Sequence, residues 1–344
     1  MTDIHNIEYK DLPFISIIIP TLNEELFIEQ TLNQLEWQDY PKELFEVFVV
    51  DGQSSDNTVK IVENWKEKYT LNITILFNTK RFSSCARNLG IRSAQGEYIL
   101  FIDAHVFIPS NNLLRDMAFA ARVKQAKVLG RPQPLTPPSL SNFQTIVAGV
   151  RTSRLGHSTE SYIYSDYEGW VNPDSVAVMY HRSLFNEAGY FDEKFDAAED
   201  VEFNFRLKIR GYQAYISPQF KVFYYPRADI TGLIKQMFRY GVGRAKFTGK
   251  HSCNINAELF VPPLVFITFI CTFLFLINRS SFLLLCISAL LGYSALIVAF
   301  CKYFSRATHF LAAPALLFLI HFGLAAGLMK GFIDILYKGL DRHE

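Results

Sequence analysis

Ile15-Ser16-Ile17-Ile18-Ile19-Pro20 is a short β-branched run stopped by a proline, and it decides how the rest of the chain reads. Such a run, bounded by a breaker, is the signature of a strand buried on both faces. Phe45 to Val50, ending at Asp51, repeats the pattern, and Ile73 to Phe77 and Tyr98 to Ile102 repeat it again. Between these runs the spacing changes to that of helices. Leu26, Ile28, Leu32 and Leu35 fall on one helical face within Asn23 to Trp37. Asp56 is placed to cap a helix carrying Val59, Val62 and Trp65, and a further helical segment runs around Ala86 to Ser93. Strands alternating with helices imply an α/β fold with a parallel sheet covered by helices. In such sheets ligands collect beyond the carboxyl ends of the strands, which selects Pro20-Thr21, Asp51-Gly52 and Asp103 to His105.

Further along, Pro132 to Tyr167 is rich in Pro, Ser, Thr and Gly and reads as a loop-rich acceptor region. A second α/β stretch follows. It has a strand near Ser175 to Tyr180, a helix near Asp200 to Arg210, and strands near Gln213 to Ile216 and Lys221 to Tyr225.

Composition divides the 344 residues near position 258. Beyond it lie three apolar stretches, 259–277, 281–301 and 308–329, with Arg279 the sole charge between Leu259 and Cys301. At about 1.5 Å per residue, roughly 20 helical residues cross a hydrocarbon core of about 30 Å, so about three transmembrane helices are expected. Ile230 to Ala257 holds five Lys or Arg and no Asp or Glu, which suits an anionic cytoplasmic leaflet. The expected organisation is a cytosolic catalytic domain over 1–228, an amphipathic interfacial segment over 229–257 and a membrane region over 258–344. No signal peptide is visible in the polar Met1-Thr2-Asp3-Ile4-His5-Asn6, so the first part is expected to stay in the cytosol. A net charge of +1 argues against general nucleic-acid binding. The five cysteines show no paired ligand spacing and read as reduced and structural.

Several residues carry possible chemistry, each beside a plainer reading. Asp51-Gly52-Gln53-Ser54-Ser55-Asp56 follows a strand and opens a helix, so it suits a nucleotide base or an ordinary capped turn. No G-x-G-x-x-G follows the early strands, which disfavours a dinucleotide site. Asp103 and His105 sit two apart after a strand, where they can hold a divalent ion, or be a strand-end Asp paired with a nearby Arg and a solvent-facing His. Asp200, opening a helix, is a general base for an acceptor hydroxyl or a cap, and Glu199 or Glu202 would position that acceptor. Arg87 is placed to meet phosphate or to form a salt bridge. Gln236, Arg239 and Tyr240 share one helical turn, as an interfacial phosphate-binding helix or a simple basic stretch.

Taken in order, these segments resemble the family 2 glycosyltransferases of the GT-A nucleotide-sugar-binding fold. The likeness is greatest to the membrane-bound enzymes of bacterial exopolysaccharide synthesis, such as the succinoglycan glucosyltransferase group. It covers roughly residues 14–250 and rests on Ile17 to Glu25, Val49 to Asp56, Ala86-Arg87-Asn88, Asp103-Ala104-His105, Gly189 to Glu193, Ala198 to Glu202 and Gln236 to Tyr240. The resemblance implies that Pro20, Thr21, Glu24, Asp51, Arg87 and Asp103 bind the nucleotide sugar. It implies that Asp103 and His105 hold Mn²⁺ or Mg²⁺, that Asp200 is the base, and that Glu199, Glu202, Gln236, Arg239 and Tyr240 meet the acceptor or its diphosphate. His105 makes the metal motif a D-x-H variant, and Tyr240 replaces the Trp of Q-x-x-R-W in processive synthases.

The implied activity is inverting transfer of a hexose from a nucleoside diphosphate sugar, such as UDP-glucose, to a sugar on a polyprenyl diphosphate in surface-glycan synthesis. Arg239 and Arg244 are expected to draw in the lipid diphosphate. The implied location is an integral protein of the inner or plasma membrane. The alternatives are transfer to polyprenyl phosphate itself, and a membrane scaffold that binds nucleotide sugar without turnover.

Overall fold

The structure is a computed structural model that describes residues 11–153, 156, 161–174, 176–251 and 307–340. It divides into two compact units, residues 1–138 with 161–225, and residues 139–160 with 226–344.

In the first unit the early strands are β1 (Ile15–Thr21), β2 (Phe45–Asp51), β3 (Ile73–Phe77) and β4 (Tyr98–Phe101). They lie side by side and parallel in the order β3-β2-β1-β4. Helices α1 (Ile28–Glu36), α2 (Thr58–Lys68) and α3 (Ser83–Ser93) connect them. Ile15, Ile17, Ile18 and Ile19 lose all solvent exposure. Burying each such side chain stabilises the fold by about 1.5–3 kcal/mol, so the run that decides the reading also anchors the core. Leu26 does not join its helical face: the chain turns at Glu24, α1 begins at Ile28, and Leu26 stands 82% exposed.

The sheet continues past β4 with strands of both directions, which corrects the wholly parallel expectation. After the two-residue β5 (Val106–Phe107) and helix α4 (Leu113–Val123) come β6 (Val128–Gly130), β7 (Gly169–Val171), β8 (Ala177–His181) and β9 (Ala214–Ile216). β8 inserts antiparallel between β4 and β6, β9 runs parallel to β6, and β7 closes the edge antiparallel. Two helices, α6 (Ser183–Glu187) and α7 (Glu199–Lys208), follow β8 in the chain. β10 (Phe223–Tyr224) leaves the main sheet and pairs antiparallel with β5.

The second unit begins inside the stretch read as loop-rich. Residues 142–152 form helix α5 (Asn142–Thr152), opened by a capping box in which Ser141 and Gln144 bond each other's backbone amide. Its Ile146, Val147 and Val150 bury against Leu233 and Met237 of α8 (Ile230–Lys250) and Ala313, Leu316, Leu317 and Ile320 of α9 (Ala307–Leu340). This places 139–160 with the C-terminal helices, so the first unit is not the continuous 1–228 expected.

α8 and α9 approach at glycines. A Cβ on Gly327 would lie 2.0 Å from the Phe238 carbonyl oxygen, and one on Gly241 would lie 2.3 Å from that of Leu324. Among the described residues one helix, 312–337, is long and apolar enough to cross a membrane, with mean hydropathy 1.9. The stretches 259–277 and 281–301 lie outside the described residues.

Candidate active site

The strand ends are knitted into one rim. Thr21 stands in register with Asp51, and the Gly52 amide donates to the Thr21 carbonyl at 2.8 Å. A Cβ on Gly52 would sit 3.3 Å from that oxygen, tighter than side chains normally tolerate, so glycine permits the close approach. Asn23 accepts from the Ser55 amide at 2.8 Å and donates its own amide to the Ser54 hydroxyl at 2.9 Å. Glu25 accepts from the Asn57 amide at 3.0 Å. Asp56 accepts from the Thr58 amide and hydroxyl, which steadies the start of α2. Asn23, Gln53 and Arg81 all adopt left-handed backbone, with φ of 57°, 63° and 64°. Such conformations are uncommon for non-glycine residues and cluster at functional turns.

Four polar atoms on this rim are buried with no hydrogen-bond partner: Thr21 Oγ1, Asp51 Oδ1, His105 Nε2 and Arg131 Nε. They follow or end β1, β2, β4 and β6 respectively. Unpaired buried groups cost about 1–3 kcal/mol each, so four around one sheet end mark a place prepared for a polar ligand. Asp51 is 1% exposed; its other oxygen accepts from the Ser54 amide at 3.0 Å. Pro20 stands beside Thr21 at the end of β1, half-buried.

Asp103 and His105 follow β4. Burial opposes charge on Asp103, yet neighbouring His105, Arg131 and Arg87, with the Gln133 amide at 3.1 Å, hold its carboxyl below the ordinary carboxylate range. Arg131 is fully buried; it donates to the Phe101 carbonyl at 3.0 Å, and burial pushes its pKa down to about 10. His105 Nδ1 lies 2.9 Å from Glu24 Oε1. Glu24 is therefore turned onto His105, where the expectation had it on the nucleotide. A partly exposed carboxylate and an imidazole nitrogen with nothing else to bond are a donor set that suits Mn²⁺ or Mg²⁺. Among the described residues no three His, Cys, Asp or Glu side chains gather into a metal cluster.

Arg87 on α3 is spent on protein rather than left open to phosphate. It pairs with Glu199 Oε1 at 3.1 Å, which also accepts from the Ser83 hydroxyl at 2.7 Å, and it stacks 4.6 Å above the Phe101 ring. Burial works against the charged form of both partners: Glu199 is pushed up despite Arg87, whereas for Arg87 the nearby Glu199, Asp200 and Asp103 prevail and raise it. Glu199 is thereby buried and structural, while Asp200, next in sequence at the start of α7, is exposed. Ala198, just before them, adopts left-handed backbone at φ 61° and opens α7, where adjacent residues point about 100° apart, so that one acid faces inward and the next outward.

Glu202 is wholly buried and grips Arg206, with Nε 3.0 Å from each carboxylate oxygen. Arg206 in turn donates to the carbonyls of Ala188 and Tyr190. Glu202 therefore holds the Gly189-Tyr190 turn, in place of the acceptor role expected for it. In the second unit, the Gln236 amide donates to the Tyr240 hydroxyl at 3.2 Å, and Arg239 and Tyr240 are exposed on α8. Arg239 and Arg244, five residues apart, project about 140° from each other on that helix and do not converge on one diphosphate.

Sequence reasoning missed Arg131 and Gln133. The only signal was the short apolar run Val128-Leu129 ending at Gly130, too brief to announce a strand end.

This rim, at the carboxyl ends of a mixed α/β sheet, is that of a GT-A nucleotide-sugar transferase. The Glycosyl transferase family 2 description matches residues 16–187, and Glycosyl transferase family group 2 matches 165–330. A Methanococcus voltae protein named dolichyl N-acetyl-alpha-D-glucosaminyl phosphate 3-beta-D-2,3-diacetamido-2,3-dideoxy-beta-D-glucuronosyltransferase is 30% identical over 93% of this chain and 97% of its own. The succinoglycan biosynthesis protein ExoA of Rhizobium meliloti (strain 1021) is 30% identical over 72% of this chain and 73% of its own. In fold, a mannosyltransferase from Pyrobaculum calidifontis, solved with GDP-Man and Mn²⁺, superposes with a TM-score of 0.64 at 21% identity, over 94% of this chain and 88% of that one. The chain belongs to the family 2 glycosyltransferases and is an enzyme that takes its sugar from a nucleotide sugar.

Proposed function

We propose that the protein is an inverting hexosyltransferase that uses a nucleoside diphosphate sugar, with a UDP-hexose such as UDP-glucose as donor and a sugar on a polyprenyl phosphate or diphosphate as acceptor. The observation that carries the chemistry is the buried Arg87, paired with Glu199 at 3.1 Å, whose charged form both Asp103 and Asp200 favour. The donor end of the site and the exposed carboxylate thus share one electrostatic neighbourhood.

Asp51 Oδ1 and Thr21 Oγ1 accept and orient the nucleotide at the ends of β1 and β2. Asp200 takes the proton from the acceptor hydroxyl, whose oxygen attacks the anomeric carbon opposite the departing diphosphate. An α-linked donor then yields a β-linked product. A divalent cation held by Asp103 and His105 would supply charge for the leaving diphosphate. The buried Arg131 adds positive potential at the same end.

The lipid-linked acceptor is supported by the Methanococcus relative, whose name describes a dolichyl-linked sugar phosphate, and by the apolar helix at 312–337. These also support an integral membrane location, and the run of five Lys or Arg over Ile230 to Ala257 supports a cytoplasmic catalytic unit. Asp200→Asn is expected to lose about 10²–10⁴-fold in transfer while still binding donor. Radiolabelled transfer to lipid-linked acceptors in membranes measures this, and full activity in Asp200→Asn removes the assignment of the base. A lipid monophosphate bearing one sugar as the product would indicate transfer to polyprenyl phosphate itself, and donor binding without product a scaffold.

A further inference from the structure

We infer that Glu24 is a positioning residue for His105, fixing its ring and its tautomer, and that it is not a nucleotide contact. Three observations converge. The Glu24 backbone is immobilised: its amide donates to the Thr58 hydroxyl at 2.7 Å, and its carbonyl accepts from the Phe27 and Ile28 amides at 3.0 Å, where the chain enters α1. Its carboxylate is mostly buried and 2.9 Å from His105 Nδ1. His105 Nε2 is buried with no partner, although the rest of the ring is fully engaged.

The ring has little freedom to turn away. Tyr224 meets it edge-on at 4.6 Å between centroids, and Phe27 closes another side at 6.2 Å. Its backbone is tied on either side, by the Thr31 hydroxyl to the Ala104 carbonyl at 2.6 Å and by the Tyr225 amide to the His105 carbonyl at 3.2 Å. A carboxylate at Nδ1 keeps the proton of neutral imidazole on that nitrogen, which leaves the lone pair on Nε2. Carboxylates that hold a histidine in this way raise its donor strength, and their removal typically costs 10–100-fold in metal affinity. Glu24 thereby places a carboxylate behind the imidazole of this D-x-H site.

This rests on the reading of Asp103 and His105 as the cation site, and the test separates the two. Mn²⁺ binding to the full-length protein in detergent is followed by electron paramagnetic resonance with UDP present. Glu24→Ala is expected to weaken Mn²⁺ binding about 10–100-fold and Glu24→Gln to weaken it less. Added to His105→Ala, Glu24→Ala is expected to cause no further loss. UDP binding in EDTA is expected to stay unchanged. Unaltered Mn²⁺ affinity, an added loss on the His105→Ala background, or weakened UDP binding in EDTA would each overturn the inference.

Nitrogen-15 spectra of histidine-labelled, metal-free protein at pH 8 supply a readout independent of the cation. The His105 signals should report Nδ1–H in the parent and shift toward Nε2–H in Glu24→Ala; the same tautomer in both refutes the inference. Should the parent take up no Mn²⁺ with UDP, the cation reading fails on its own while the tautomer spectra still decide the role of Glu24.

Discussion

Glu193 shows how a single side chain outside the chemistry can hold a functional turn. It accepts from Lys80 at 2.6 Å and from Asn88 at 3.1 Å, and those bonds draw its carboxyl from 4.5 to about 2. Because the folded value lies below the unfolded one, the stabilisation is complete above pH 4.5 and is lost as the pH falls toward 2. Glu193→Gln should therefore melt lower than the parent at pH 6, with the difference shrinking steadily down to pH 3; a constant difference across that range would contradict the assignment. Asp51, Asp103, His105 and Asp200 were legible as residues because each stands where a strand or helix boundary could be read. Glu24, Arg87 and Glu202 were legible only as charges. Their partners lie on other elements or depend on burial, and neither is written in local spacing. Glu202 and Arg206 are four apart, a visible helical pair, but nothing in the pattern said the pair would be sealed inside.

Among elements, α7 separates acids that are adjacent in sequence, leaving Asp200 exposed and committing Glu199 and Glu202 to Arg87 and Arg206. Glu202→Ala would leave the Arg206 guanidinium without its carboxylate, at a cost of about 3–5 kcal/mol. Denaturant unfolding measures this, and a loss below 1 kcal/mol would mean that Arg206 finds a substitute. α8 and α9 depend on absent side chains: Gly327→Leu must push the helices apart, since even its Cβ overlaps the Phe238 carbonyl. Overpacking of this kind costs about 1–3 kcal/mol or more. A thermal midpoint unchanged in Gly327→Leu would show that the helices separate freely. Helix α5 was present in the sequence, as Ser141-x-x-Gln144 before Ile146, Val147 and Val150. The Pro and Ser residues that flank it give the whole stretch the composition of a loop.

At the scale of the molecule, the parallel half of the sheet could be read because β1, β2 and β4 are buried along almost their whole length and so are largely apolar, and the edge strand β3 keeps a short apolar run although Phe77 is exposed. In the second half, the strands expected near Ser175 to Tyr180, Gln213 to Ile216 and Lys221 to Tyr225 are β8, β9 and β10, whereas β6 and β7, three residues each, offered no run long enough to recognise, and the strand order is set by pairing across the chain. The division into units was likewise hidden, since α5 (Asn142–Thr152) is short yet packs with α8 (Ile230–Lys250) and α9 (Ala307–Leu340), both distant in the chain.

That excursion has a consequence for how the protein breaks. A protease that cuts between Pro226 and Asp229 leaves an N-terminal fragment that still carries α5, while α8 and α9 depart with the other piece. The fragments would remain clasped through the apolar cluster around Val147, Met237 and Leu317. A nicked sample should therefore run as two bands on a denaturing gel and elute as one species in mild detergent; separate elution would show that the cluster does not hold them. Co-elution would show that polypeptide continuity at that junction is dispensable for cohesion, so that severed halves could be expressed apart and allowed to reassemble.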